Sequence, residues 1–106
     1  MTPPAPPRSW YVYLLLCADG TLYCGIARNV QARLAAHLSG AGARYTRGRG
    51  PLEVLASHRY QTQGTALRVE AAIKRLPRSE KLAAAQDPRR WAAVARAARR
   101  RAPPPR

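Results

Sequence analysis

Apolar residues near the start of the chain fall into two short runs separated by a turn signal. The first run, WYVYLLLC at 10–17, is rich in β-branched and aromatic residues and is short enough to be a buried strand. Asp19-Gly20 is typical of a turn, and TLYCGI at 21–26 predicts a second short strand. The two runs together predict an antiparallel β-hairpin.

The length of the connecting loop decides which residues share a face of this hairpin. A two-residue loop at Asp19-Gly20 would place Tyr13 and Tyr23 on opposite faces. A three-residue loop that begins at Ala18, with Gly20 in the left-handed region, shifts the pairing by one residue and puts both tyrosines on one face. We prefer the second register because it separates the apolar positions from the polar ones.

The spacing of apolar residues then changes to that of a helix, followed by one further strand. Asn29 is a plausible N-cap for a helix over 30–38, where apolar residues recur every four positions. The glycine- and arginine-rich stretch SGAGARYTRGRGP at 39–51 predicts a loop. LEVLASHRY at 52–60 predicts the third strand.

The last part of the chain predicts three helices. The first covers 64–76 and ends at Pro77, and the second is short and is capped by Ser79. Asp87-Pro88 is a strong N-cap and N1 pair that opens the third. The order β-β-α-β-α-α-α predicts an α+β fold, with a small three-stranded antiparallel sheet flanked by helices.

Composition sets the size of the folded unit and the class of partner. Seven of the ten prolines lie at 1–8 and 102–106, which predicts disordered tails around one domain at 9–101. The 106 residues carry 19 Lys and Arg against 5 Asp and Glu, a formal charge of +14, which indicates a polyanionic partner such as nucleic acid.

Other features bear on the compartment. No apolar run reaches the roughly 18 residues of a membrane span, and no secretory signal is expected. Cys17 and Cys24 lack partners at zinc spacing and are interpreted as reduced, so we expect a cytoplasmic protein without a membrane partner. The sequence does not indicate a protein partner.

The small number of carboxylates limits the chemistry. A two-metal nuclease site needs several clustered carboxylates, which five acidic residues can hardly supply. Any metal must therefore be held by few protein ligands, with water and phosphate completing its shell. The acidic residues are Asp19, Glu53, Glu70, Glu80 and Asp87.

Five residues are candidates for phosphodiester chemistry. Arg33 and His37 are four apart and share a helix face, while Tyr13 and Tyr23 share a sheet face in the preferred register. Glu70 follows the buried stripe of its helix, from where it could reach a cleft. Cleavage of a phosphodiester needs a cation held by a carboxylate, an arginine on the phosphate and a group that takes a proton from water. Each candidate also has a purely structural interpretation. The tyrosines could be ordinary strand aromatics, His37 a basic residue at a helix end, and Glu70 one half of an ion pair with Lys74.

The triplets YVY at 11–13 and YCG at 23–25, followed by Arg33, His37 and Glu70, resemble the signature of the GIY-YIG nuclease superfamily. The GARYTR loop and the helix ending in IKRL are similar to its small stand-alone bacterial branch, UPF0213. The similarity covers about 10–91. Tyr11 stands where the motif has the glycine of its name.

The resemblance implies a DNA endonuclease that uses one divalent ion, Mg²⁺ or Mn²⁺, and leaves 5′-phosphate and 3′-hydroxyl ends. By that analogy Glu70 is the metal ligand and Arg33 stabilises the transition-state phosphate. Tyr23 or Tyr13 acts on the nucleophilic water as base or orienting group, and His37 assists proton transfer or positioning. The late asparagine of some larger members has no counterpart, since Asn29 is the only asparagine.

The basic residues around this site predict nucleic-acid contact. The loop could be merely solvated, but arginines with an interleaved tyrosine suit backbone contact and base stacking. The predicted contact residues are Arg44, Tyr45, Arg47, Arg49 and Lys74. A non-catalytic or weakly catalytic DNA- or RNA-binding module on the same fold is the alternative function. A basic protein attached to a ribosome or a membrane surface is a third, less favoured class, because mere adhesion needs none of the five aligned residues.

Overall fold

The computed structural model describes residues 9–38 and 52–100. Three strands and four helices follow the predicted order, so the α+β class is confirmed. Their bounds are β1 Trp10–Cys17, β2 Leu22–Ala27, α1 Val30–Leu38, β3 Leu52–Tyr60, α2 Gln63–Arg75, α3 Arg78–Gln86 and α4 Pro88–Ala98. The second strand lies one residue later than predicted and α2 one residue earlier.

The sheet is antiparallel with strand order β2-β1-β3. Tyr13 pairs with Gly25, and the loop is closed by the Cys17 N–H donating to the Thr21 carbonyl over 2.9 Å. Gly20 has a φ of 85°, the left-handed conformation that a three-residue loop requires. The preferred register is therefore confirmed, and Tyr13 and Tyr23 lie on the same face.

Side-chain caps begin three of the helices. The Asn29 Oδ1 accepts from the Ala32 N–H over 3.0 Å at the start of α1. The Asp87 Oδ1 accepts from the Arg89 N–H over 2.9 Å at the start of α4. The two bonds confirm the predicted N-caps Asn29 and Asp87. Thr62 caps α2 in the same way, which explains why that helix begins earlier than its apolar pattern predicts.

The predicted cap of the short helix α3 is wrong. The helix begins at Arg78 and its N-cap is Pro77, so Ser79 lies within the first turn. The Pro77 carbonyl accepts from the Glu80 and Lys81 N–H groups, each over 3.0 Å. No side chain is needed to begin this helix because the backbone of Pro77 already has the required extended geometry.

The sheet is covered on both faces. The larger core lies between one face and the helices α2, α3 and α4, and its buried residues include Val12, Leu14, Cys24, Val69, Ile73, Ala84, Trp91 and Ala95. The Trp91 Nε1 donates to the Tyr60 hydroxyl over 2.8 Å, and the His58 ring stacks on the indole at 4.5 Å. None of the described helices has the length and apolar character needed to cross a membrane.

The opposite face carries a smaller core in which the candidate site lies. Tyr13, Leu15 and Ala27 are buried there against Val30 and Leu34 of α1. Because side chains alternate along a strand, Tyr13 and Leu15 point away from the larger core. Tyr13 is therefore a structural neighbour of α1, the helix that carries the candidate arginine and histidine.

Candidate active site

Three candidate rings form one cluster between the sheet and α1. Tyr13 is 1% exposed and His37 is 3% exposed, whereas Tyr23 is only half-buried. The centroids of the two tyrosine rings are 6.3 Å apart, and the Tyr23 ring meets the His37 ring edge-on at 5.4 Å. Tyr23 is thus the most exposed of the three rings.

A buried hydrogen bond of 3.2 Å joins the Tyr13 hydroxyl and the His37 Nε2. Either atom can be the donor, depending on which ring nitrogen of His37 carries the proton. Burial raises the pKa of Tyr13, and burial together with the charge of Arg33 lowers the pKa of His37. Both groups are therefore neutral at pH 7, and the unprotonated imidazole nitrogen can accept a proton from the phenol.

Gly25 leaves the space that the Tyr13 side chain occupies. A Cβ atom on Gly25 would lie 2.6 Å from the Tyr13 hydroxyl oxygen and 3.1 Å from Cε1 of Tyr23. The glycine in the middle of this strand therefore allows the two tyrosines to lie across the backbone of β2. This role was not predicted from the sequence, although a glycine inside an apolar strand is itself a signal of close approach.

Arg33 and Glu70 bring opposite charges to this cluster from different helices. The Arg33 guanidinium lowers the pKa of both tyrosines, whereas the Glu70 carboxylate raises both, and burial makes the largest contribution to each shift. Two helices on opposite faces of the sheet therefore place their charged groups near enough to act on the same two phenols. Arg33 is exposed on α1 and is accessible to a ligand.

Glu70 also forms the ion pair that its spacing predicts. Its carboxylate lies 3.5 Å from the Lys74 Nζ, with the Glu70 side chain 16% exposed and that of Lys74 54% exposed. The ammonium of Lys74 also lowers the pKa of Tyr23. The charge of the predicted nucleic-acid contact Lys74 thus reaches the site, and the Glu70 side chain is largely shielded from bulk solvent.

The residues that the structure describes could bind a metal ion that needs only one carboxylate ligand from the protein. Within 9–38 and 52–100, no group of three His, Cys, Asp or Glu residues could hold an ion. Asp19 accepts hydrogen bonds from Thr21 in the hairpin loop, and Asp87 caps α4. Of the other three acidic residues, only Glu70 acts on the two tyrosines. Mg²⁺ suits this single carboxylate because it keeps several waters and commonly binds one carboxylate together with substrate phosphates.

The structure thus brings together the rings of Tyr13, Tyr23 and His37. The charges of Arg33 and Glu70 act on both tyrosines, and that of Lys74 acts on Tyr23. His37 is buried in this cluster and does not serve only as a basic residue at a helix end. Cys17 and Cys24 are free, as predicted, and the structure shows that both are buried. The predicted contacts Arg44, Tyr45, Arg47 and Arg49 lie outside the described residues.

Comparison with known proteins shows similarity to one family over most of the chain. The sequence profile of the GIY-YIG catalytic domain matches residues 9–83. The UPF0213 protein XAC3202 of Xanthomonas axonopodis pv. citri is 51% identical over 76 residues, which are 72% of this chain and 74% of that protein. A UPF0213 protein of Nitratidesulfovibrio vulgaris is 55% identical over 74 residues, which are 70% of this chain and 67% of that protein.

A solved structure extends the likeness to the fold. The solution NMR structure of the protein EF2693 from E. faecalis is 37% identical and aligns with a TM-score of 0.55. The alignment covers 74% of this chain and 84% of that one. The family match over residues 9–83 includes all five candidate residues.

Proposed function

Because the chain belongs to the GIY-YIG family and, within it, to the UPF0213 proteins, we propose that it is a divalent-metal-dependent endonuclease that hydrolyses DNA phosphodiester bonds. The observation that carries the proposal is the convergence of two phenols, an imidazole, a guanidinium and one carboxylate from β1, β2, α1 and α2. A protein that only adhered to polyanions would need none of the buried groups.

In this proposal Glu70 holds one Mg²⁺ or Mn²⁺ ion. The ion would supply charge neutralisation on the phosphate and Lewis-acid activation when bound. Arg33 would donate parallel hydrogen bonds to two phosphate oxygens, a geometry that its planar guanidinium provides and a lysine does not. Its exposure on α1 suits that role because a phosphate could reach it without rearrangement of the core.

The buried pair Tyr13–His37 would move the proton of the attacking water. The raised pKa of Tyr13 means that its side chain is a neutral phenol, and not a phenolate, at neutral pH. Tyr13 can therefore accept a proton from the water only while its own proton passes to His37. His37 is available as the acceptor because its lowered pKa keeps the imidazole unprotonated at neutral pH. Tyr23, which is more exposed, would contact and orient the water.

Nicking of supercoiled plasmid in Mg²⁺ tests this proposal. Glu70→Gln is expected to slow nicking by at least about 100-fold. It removes the protein ligand of an ion that stabilises the charge of the transition state by several kcal/mol. Glu80→Gln is the matched control because Glu80 is exposed on α3. Arg33→Lys is expected to lose activity where Arg96→Lys, at an exposed position of α4, does not.

The proposal fails if the wild-type protein nicks no supercoiled, linear, branched or single-stranded DNA in either Mg²⁺ or Mn²⁺. It also fails if Glu70→Gln and Glu80→Gln nick equally well.

The Lys74 ion pair favours one alternative function. A carboxylate already paired at 3.5 Å could serve helix α2 alone, and the charge of +14 would then support DNA or RNA binding without cleavage. Lys74→Met distinguishes the two functions. With saturating DNA, which compensates for the lost Lys74 contact, the Glu70 carboxylate freed from its ion pair should maintain or increase metal-dependent nicking by the enzyme. A binding module would lose affinity and show no cleavage in either form.

A further inference from the structure

A polar cavity lies at the end of the sheet where β3 meets the first turn of α2 and the end of α4. Its volume is about 510 Å³. The lining residues are Arg59, Tyr60, Gln61, Thr62, Thr65 and Arg99. None of these residues belongs to the candidate active site, and none is acidic.

The two arginines that line the cavity are held by neutral groups. The Arg59 Nε donates to the Ser9 hydroxyl over 2.9 Å, and Ser9 is itself buried. The Arg99 guanidinium lies over the Tyr60 ring, 5.6 Å from its centroid. Neither arginine is paired with a carboxylate of the described residues. Two guanidinium groups therefore face one cavity without a protein anion from this part of the chain to balance them.

We propose that this cavity binds a phosphate group of a nucleic-acid backbone, away from the cleavage site. The chemistry favours a phosphate because guanidinium groups bind its oxygens through parallel, charge-assisted hydrogen bonds. Neutral side chains fix the arginines in place, so little side-chain freedom is lost when the anion binds. The Thr62 hydroxyl donates to the Thr65 hydroxyl oxygen over 3.0 Å, which leaves the Thr65 hydroxyl as a donor to the anion at the positive end of α2.

The assignment of the anion to a nucleic acid rests on the proposed function. Thr65 and Glu70 are five residues apart on α2, which places them about 7.5 Å apart along the helix axis and about 140° apart around it. The cavity is thus on another side of the helix from the active site. The axial distance is short beside the roughly 34 Å turn of a duplex, so one duplex could supply phosphates to both.

The salt dependence of DNA binding tests the proposal. Fluorescence anisotropy with a labelled duplex of about 20 base pairs, in EDTA and on the Glu70→Gln background, measures affinity without cleavage. Loss of one phosphate contact should reduce the slope of log K against log[KCl] by about 0.9. We expect this change in Arg59→Gln/Arg99→Gln.

The matched control removes the same charge elsewhere. Arg75→Gln/Arg89→Gln changes exposed arginines at the end of α2 and the start of α4, and its slope should change by much less. Equal slopes in the two double variants would overturn the proposal. Arg99→Gln alone, on the exposed end of α4, gives the same test if loss of the Arg59–Ser9 hydrogen bond prevents folding.

A second measurement separates a nucleic acid from free phosphate. The Trp91 indole donates to the Tyr60 hydroxyl, and Tyr60 lines the cavity, so the indole N–H resonance reports on occupancy. The duplex should shift this resonance in the Glu70→Gln protein and not in the double arginine variant on that background. If inorganic phosphate at constant ionic strength shifts it and the duplex does not, the assignment to nucleic acid is wrong.

The outcome is independent of cleavage. If the wild-type protein nicks DNA and the two slopes are equal, the cavity proposal fails while the enzymatic one stands. If the protein nicks no DNA but the slopes differ as expected, the cavity proposal stands and the proposed function fails.

Discussion

Replacement of Gly25 by alanine should disrupt the candidate site without changing any of its polar atoms. The new Cβ would lie 2.6 Å from the Tyr13 hydroxyl oxygen and 2.8 Å from Cζ. Ordinary contacts between such atoms are about 3.5–4.0 Å, so the ring must move by roughly 1 Å. Tyr13 is 1% exposed and is packed in the smaller core, and it forms the 3.2 Å hydrogen bond with His37.

The expected cost follows from three contributions. Overpacking of a filled core costs about 1–3 kcal/mol, and loss of the hydrogen bond to His37 costs about 1 kcal/mol more. The lower entropy of the unfolded chain returns about 0.4–1 kcal/mol when glycine becomes alanine. Gly25 does not have a positive φ, so alanine adds no backbone strain. The net loss of unfolding free energy is therefore about 1–3 kcal/mol, or a fall in Tm of about 4–24 °C for a unit of this size.

Urea denaturation and plasmid nicking measure the two consequences. A displacement of 1 Å at a proton-transfer pair should reduce nicking by about 100-fold. The matched control is Gly64→Ala: a Cβ at Gly64 meets nothing within 4 Å, so alanine within this helix should stabilise the protein by about 0.5–1 kcal/mol.

A double-mutant cycle with Tyr13→Phe identifies the collision. The phenylalanine lacks the oxygen that is nearest to the new Cβ, so Gly25→Ala should cost less on that background. The reasoning is refuted if Gly25→Ala leaves stability and nicking within error of wild type, or if its cost on the Tyr13→Phe background equals its cost in the wild-type protein.

Three further predictions concern pH, capping and the thiols. Burial lowers the pKa of His37 and His58, and the charge of Arg33 also lowers that of His37. The unfolded chain therefore binds more protons than the folded protein as the pH falls, so Tm should decrease between about pH 7.5 and about pH 5.5. His58→Gln should reduce that pH dependence; an unchanged slope would contradict the assignment. Asp87→Ala should cost about 1 kcal/mol in urea denaturation through its lost cap, whereas Ser79→Ala should cost a few tenths at most; equal costs would be inconsistent with Pro77 as the cap of α3. Cys24 is 4% exposed and burial raises its pKa to about 12, so a thiol reagent should label it only at the rate of unfolding; fast labelling of the native protein would count against its place in the core.

The sequence predicted the fold closely because local signals agreed with one another. The preferred register of the hairpin followed from separating apolar from polar positions, and Gly20 has the left-handed conformation that this register requires. The caps at Asn29 and Asp87 are also local, since each side chain bonds to an amide two or three residues away. The cap at Ser79 failed because a preceding proline had already begun the helix.

The geometry of the site could not be obtained in the same way. The five candidates were found through their order along the chain and a family resemblance, which do not show that Tyr13 and His37 share a hydrogen bond or that Gly25 makes room for it. The cavity between Arg59 and Arg99 was also missed. Its residues come from elements up to 40 positions apart, and no local pattern links them.

The candidate site and the fold depend on the same register. A slip of one residue between β1 and β2 would move Tyr23 to the opposite face from Tyr13 and would also expose one of the two apolar faces of the hairpin. Tyr13 is at once a core residue and half of the buried pair with His37, so its removal must lower stability as well as any activity. Loss of nicking in Tyr13→Ala would therefore say little about chemistry. Tyr13→Phe keeps the ring and removes only the hydroxyl, so a variant that stays folded and loses nicking would assign the loss to the proton that this hydroxyl shares with His37.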